Sequence, residues 1–256
     1  MSNIYIGNQL AATLLEQSFS IDESNDIEIF KQLVASYVSV DQCVAVLSDF
    51  HSDCSYIYAG NFGKVFGLPC ENSVIDSAFE ECIFTKIHPD DLIERHILEL
   101  NYFQYLKSLP YQDSHKYSTS SRIRTLNPIK SCAYINHRTI YLKSLSNGSV
   151  RLALCLYAPS ADTQSHSGID GKIINNETGE VIALEKYKHY EQSLLSKREL
   201  EILTLVAEGS SSIQIATQLN ISVYTVRRHR QNIIEKMKVT NTTEAVKTAM
   251  VMGIIL

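Results

Sequence analysis

One segment near the C-terminus gathers side chains able to grip a polyanion: residues 221–237, ISVYTVRRHRQNIIEKM. It sets Arg227, Arg228, Arg230 and Lys236 against one acid, Glu235, in a chain whose formal net charge is -5. Wound as a helix, at about 100° per residue, Val226, Ile233 and Met237 fall on one seam and Val223 and Ile234 flank it. Tyr224, Arg228 and Gln231 project from the opposite side, with Arg227 on its shoulder. An arginine can donate two hydrogen bonds to O6 and N7 of guanine, and a glutamine can pair with adenine in the same bidentate way. Thr225 and Asn232 lie to one side, within reach of phosphates. Arg230 is too near the seam to read bases, so it is expected to snorkel or to meet the nucleic-acid backbone. Ser222, which can cap the helix, and Lys236, near its end, complete the candidate contacts. His229 borders the seam and reads as a packed, hydrogen-bonded ring.

No other segment offers comparable chemistry. The chain has no G-x-S-x-G, no phosphate-cradling glycine loop and no paired metal motif, and its Ser, His and Asp residues lack usable spacing, so an enzyme is not expected. The six cysteines form no C-x-x-C pair and read as reduced thiols. His51 and Cys54 are two ligands where a zinc site needs four. No cofactor is expected.

The basic segment needs elements to hold it. Ser196 with Glu199 is a capping box, Leu200, Leu203 and Val206 supply an apolar face, and Gly209 stops that first helix. Ser211 with Gln214 opens a second helix carrying Ile215, Ala216 and Leu219. Asn220 and Ile221 make a short connection, and Ser222 opens the third helix. Asn241 with Glu244 opens a fourth. The short link between the second and third helices is a helix-turn-helix spacing, in which the later helix enters the major groove.

These residues carry a family resemblance. Residues 194–256 resemble the LuxR/FixJ-type helix-turn-helix domain of bacterial transcriptional regulators. The matching marks are Arg198-Glu199, Gly209, Ile215-Ala216, Leu219, Ser222, Thr225-Val226, His229, Asn232-Ile233 and Lys236. Ser212-Ile213 and Met237 depart from the commoner pattern without threatening the fold. The resemblance implies DNA binding through the third helix, with Arg227, Arg228 and Gln231 facing bases, and pairing through the fourth. On that helix Val246, Ala249, Met250 and Gly253 offer a contact face, unless they only complete the domain's own core.

The 256 residues suffice for about two domains. From residue 194 onward eight Lys or Arg face five Asp or Glu, so a mildly basic tail follows an acidic body. The N-terminus lacks a signal peptide, and no run of about 18 apolar residues suggests a membrane span, so a cytoplasmic address is expected.

In the larger part, residues 1–39 read as a helical segment. Residues 43–50 and 55–61 read as strands, residues 73–109 as helical with Pro89 in a first turn, and residues 117–125, 132–142 and 149–158 as three antiparallel strands. Asn147-Gly148 signals a type I′ turn. In the last strand Val150, Leu152, Leu154 and Leu156 alternate with Arg151, Ala153, Cys155 and Tyr157, which puts the core on the first set. With KIHPDDL at residues 86–92, residues 40–160 resemble a PAS-type sensor domain. A receiver would alternate strands and helices. An acyl-homoserine-lactone pocket normally carries tryptophans, and this chain has none. A flavin photosensor needs Asn-Cys-Arg around its cysteine, and Cys70 sits in LPCEN.

Residues 161–193 read as a polar linker containing a hairpin at 172–184, with Gly179 at its turn. The fold class expected is thus an α+β PAS-like domain, an antiparallel sheet with flanking helices, followed by an all-α four-helix helix-turn-helix domain. The expected partners are double-stranded DNA, a second copy of the chain and RNA polymerase. The N-terminal domain takes either an unspecified small molecule or serves only for dimerisation or docking.

Overall fold

In the computed structural model, residues 2–19, 26–129, 132–162, 164, 168–182, 195–237, 239–251 and 255 are described. The chain forms two compact units. One is residues 9–183, and the other is residues 184–256 together with residues 1–8.

The larger unit is built on one antiparallel sheet. Its strands are β1 (Val44–Asp49), β2 (Cys54–Ala59), β3 (Ser73–Ile75), β4 (Tyr117–Ile129), β5 (Cys132–Ser144), β6 (Val150–Pro159), β7 (Lys172–Asn175) and β8 (Val181–Ile182). They lie in the order β3-β2-β1-β6-β5-β4-β7-β8. Of helix α1 (Ser2–Leu15), the part from Gln9 onward belongs to this unit and buries Leu10 and Leu14 at four-residue spacing. Just beyond it, Gln17 and Ser18 are bonded to the β5–β6 connection through Val150, Asn147 and Ser149. Helix α2 (Ile27–Asp41) lies over β1 and β2 and sends Val34 and Val38 into a core with Cys43, Ala45, Leu47, Tyr58 and Leu152. The short α3 (Glu81–Phe84) and the long α4 (Pro89–Lys107) follow β3.

The KIHPDDL segment has a structural task. Pro89 opens α4 and the His88 ring accepts from the Asp90 amide. Asp91, fully buried, accepts from the Arg124 backbone at 2.7 Å and from its guanidinium, which ties the start of α4 to β4.

Several expectations need correction. Residues 73–109 do not open as helix: Ser73–Ile75 pairs with β2, whose outer edge would otherwise stay unpaired. The Asn147-Gly148 turn is not type I′, since only Gly148 has positive φ (81°). Gly148 N–H donates to Leu145 and Leu145 N–H to Ser149, the pattern of a type I turn followed by a glycine bulge, while the register shifts between β5 and β6 lie further down the strands, on either side of Lys143. Strand β6 is covered on both faces, and the Ala153, Cys155 and Tyr157 face is the drier one at 1%, 3% and 0% exposure. Hydrophobic alternation pointed to the Leu154 and Leu156 face, but α2 only partly reaches it. The hairpin expected at 172–184 is described as far as Ile182 and extends the sheet, with β7 pairing along β4 and β8 along β7.

The C-terminal unit contains α5 (Lys197–Ala207), α6 (Ser212–Gln218), α7 (Val223–Lys236) and α8 (Thr242–Val251). Their apolar faces meet in one core that includes Ile202, Leu203, Ile215, Val226, Ile233, Met237, Ala245 and Ala249. Both capping boxes are formed, at Ser196 and Ser211. Gly209, at φ 86°, closes α5 with its N–H on Val206 and the next N–H on Leu205. No helix among the described residues is long and apolar enough to cross a membrane.

Candidate nucleic-acid interface

Helix α7 is fixed from three sides. Its start is capped by Ser222, whose hydroxyl accepts from Thr225 N–H at 3.0 Å. The chain enters it through Asn220, in the left-handed region at φ 51°, while Ile221 N–H closes back on Ala216. Val226, Ile233 and Met237 are each 0% exposed, so the seam is core and the rotation of the helix is set.

That rotation decides what faces outward. Tyr224 is 75% exposed, and Arg227, Arg228 and Gln231 are exposed. Among the described residues Arg227 and Arg228 have no hydrogen-bond or ion-pair partner, and Gln231 donates only to Glu235, at 3.1 Å on its own helix. Two unpaired guanidinium groups on a helix lip present up to ten N–H donors to solvent, the chemistry that suits guanine edges and phosphates. Thr225 and Asn232 are half-buried at the flank.

Three residues take other places than expected. The Arg230 guanidinium donates to Ser212 at 2.8 Å and to Thr242 at 3.3 Å and so joins α7 to α6 and α8, while the side chain stays half-exposed. Its place beside the seam brings it to two hydroxyls at helix starts. Lys236 is bonded to Glu199 at 2.7 Å, and with the capping interactions this holds the Glu199 carboxyl below its ordinary value despite burial. His229 is half-buried, and its Nδ1 has no hydrogen-bond partner among the described residues.

Arg198 was legible only as a family mark. It donates to the Leu219 carbonyl at 2.9 Å and so secures the end of α6 beside the turn. On α8, Ala249 is fully buried in the module's own core and Val246 is half-buried against it, which removes Ala249 from the contact face. Met250 is 46% exposed, and Gly253 lies outside the described residues.

Residues 193–249 match the family described as bacterial regulatory proteins, luxR family. The C-terminal module is a LuxR-type helix-turn-helix domain. The chain is 45% identical over 60 residues to the uncharacterized response regulatory protein YgeK of Escherichia coli, which covers 23% of this chain and 41% of YgeK. It is 47% identical over 51 residues to the transcriptional regulatory protein LiaR of Bacillus subtilis, covering 20% of this chain and 24% of LiaR. These matches therefore span less than half of either relative. Among solved structures, the phage VqmA-DPO complex aligns over 91% of this chain and 92% of that one at 17% identity and a TM-score of 0.30. Escherichia coli SdiA aligns over 99% and 98% at 15% identity and a TM-score of 0.29.

The larger unit holds a second concentration of chemistry, between α4 and the dry face of the sheet. Arg95, 2% exposed, lies between Glu80 at 3.3 Å and Glu99 at 3.1 Å. Tyr157 donates to Glu80 at 2.5 Å. Burial acts against the Arg95 charge, but Glu99 and Glu80 hold it protonated, while burial raises Glu99 above its ordinary value. Burial, and then Arg95, push His96 and His137 well below 6.5, so both rings are neutral. Both His96 nitrogens, His137 Nε2, Arg95 Nε and the Tyr141 hydroxyl are buried without a hydrogen-bond partner among the described residues. No group of three or more His, Cys, Asp or Glu suited to a metal occurs among those residues.

Proposed function

We propose that the chain is a sequence-specific DNA-binding transcriptional regulator, in which α7 enters the major groove and Arg227, Arg228 and Gln231 contact base edges. The observation carrying this is the joint exposure of Tyr224, Arg227, Arg228 and Gln231 on a helix whose other face is sealed into the module. Ser222, Thr225 and Asn232 stand beside the groove-facing side and serve phosphates. Arg230 and Lys236 position α7 through their partners. A single module reads only a few base pairs, so the regulator acts as a homodimer on two half-sites about one helical turn apart, or a multiple of it. The reading calls for a cytoplasmic protein that meets RNA polymerase at a promoter, and for no enzymatic activity.

The test is selection of bound sequences from random duplexes by the full chain, followed by titration of the selected site. Arg228→Ala should weaken specific binding by about 1–3 kcal/mol and relax preference at one base pair. Equal affinity of wild type and variant for every duplex would remove Arg228 as a reader.

The larger unit is read as a PAS-type sensor. Five neighbouring antiparallel strands, with the helices inserted between the second and third in chain order, support this, and so do the unpartnered polar groups around Arg95. Buried polar groups of this kind ordinarily meet a water or a ligand.

A further inference from the structure

We propose that Glu235 is a positioning residue for base reading: it holds the side-chain amide of Gln231 in the orientation that selects adenine and rejects guanine. The proposal deepens the reading of α7 as the helix that enters the groove, and rests on it. Tyr224, Arg228, Gln231 and Glu235 follow at steps of four, three and four residues, so they share one stripe of α7, and all four are exposed. The stripe is the outward one, since Val226, Ile233 and Met237 fill the opposite seam.

An acid is the residue type that this stripe should avoid. Glu235 stands in the last turn of α7, at the negative end of the helix dipole. It also projects from the face that meets phosphates, which repel it. Among the described residues no cation is bonded to it, and its sole partner is Gln231, whose Nε2 donates to Glu235 Oε1 at 3.1 Å across one turn. That bond decides which edge Gln231 shows. A carboxylate offers only acceptors, so the amide nitrogen, not the amide oxygen, faces Glu235. One N–H is thereby used, and the oxygen and the second N–H remain. In the major groove adenine presents an N6 donor for that oxygen and an N7 acceptor for that N–H. Guanine presents two acceptors, O6 and N7, and would set one of them against the Gln231 oxygen. A glutamine without this partner could swing its NH2 edge onto guanine, and Glu235 removes that freedom. Discrimination then comes from excluding the wrong base as much as from binding the right one, at a cost in affinity for every sequence.

The test uses the full chain and duplexes selected from a random pool. Gln231→Ala marks the base pair that Gln231 reads, as the one whose preference it abolishes. At that pair wild type should prefer adenine to guanine on the order of tenfold. Glu235→Ala should bind every duplex more tightly, having lost a repelled charge, and should lower the adenine preference to about twofold or less. In the Gln231→Ala background, Glu235→Ala should still tighten binding but leave base preference unchanged, because it acts on that base only through the amide. Both side chains are exposed and alanine favours helix, so far-UV circular dichroism should match wild type. Should Glu235→Ala lose helix, Glu235→Met, which keeps the stem without the acceptor, repeats the comparison. An adenine preference that survives Glu235→Ala, or one that Glu235→Ala alters equally with and without Gln231, overturns the proposal and leaves the regulator reading standing. So does a Gln231→Ala variant that abolishes no preference. A wild type that binds every duplex alike removes the regulator reading and this proposal with it.

Discussion

Arg95 shows how much a single side chain governs in the larger unit. It sits buried with two carboxylates, and among the described residues its charge alone compensates theirs. Arg95→Met keeps the stem and removes the cation, leaving Glu80 and Glu99 buried against each other. The expected cost is about 3–5 kcal/mol, read as a lower urea midpoint. His96 makes a prediction of opposite character. Its ring is held neutral, with its pKa well below 6.5, by burial and then by Arg95. Below pH 6.5 the unfolded chain takes up this proton and the folded chain does not, so this contribution is complete above 6.5 and is lost as pH falls. Each such ring changes stability by up to about 1.4 kcal/mol per pH unit. Glu99, whose pKa is raised, works the other way: its contribution is complete below about 4.5 and is lost as pH rises through its folded value. The clean measurement is therefore a difference. Between pH 6.5 and 5.5 wild type should lose about 1 kcal/mol relative to His96→Leu in urea titrations.

At the scale of elements, the C-terminal helices are defined by their ends. Ser211 and Ser222 stand at the two helix starts on either side of the turn, and each hydroxyl accepts a backbone N–H of the first turn. Ser211→Ala should cost about 1 kcal/mol of module stability by thermal denaturation. Ser222→Ala should cost a similar amount and also weaken DNA binding, because α7 would fray where its readers sit. Helix α8 separates two tasks. Ala249→Asp puts a charge into a closed core and should unfold the module. Met250→Asp should leave it folded, and a weakened dimer in the second variant would give α8 a share in pairing.

At the scale of the whole molecule, the regulator reading makes affinity depend on salt. Arg227 and Arg228 are unpaired among the described residues and are the proposed base readers, while each phosphate that any Lys or Arg of the module neutralises adds about 0.9 to the slope of log affinity against log salt concentration. Removing one phosphate contact should lower that slope by about 1 on every sequence, whereas removing a base reader should change the ranking of sequences. Anisotropy titrations from about 50 to 200 mM salt distinguish the two roles.

The sequence by itself determined the C-terminal module almost completely. Its signals are local: capping boxes at Ser196 and Ser211, the stop at Gly209, and a seam repeating every helical turn, all within three or four residues of one another. The outward set Tyr224, Arg227, Arg228 and Gln231 followed from that seam, because a helix buried on one side has no choice about the other. Tertiary structure alone decided what depends on partners distant in the chain. Arg230 found Ser212 and Thr242, Ala249 went to the core and Met250 to the surface, and β3 formed where β2 had an edge to pair. Alternation made one face of β6 core, and Val150 and Leu152 are buried as it implied, but the opposite face closes further along the strand, where α4 brings Arg95 and Glu99, met by Glu80 from before α3, over Cys155 and Tyr157. Polar residues give no warning of burial until the group that satisfies them arrives from another element.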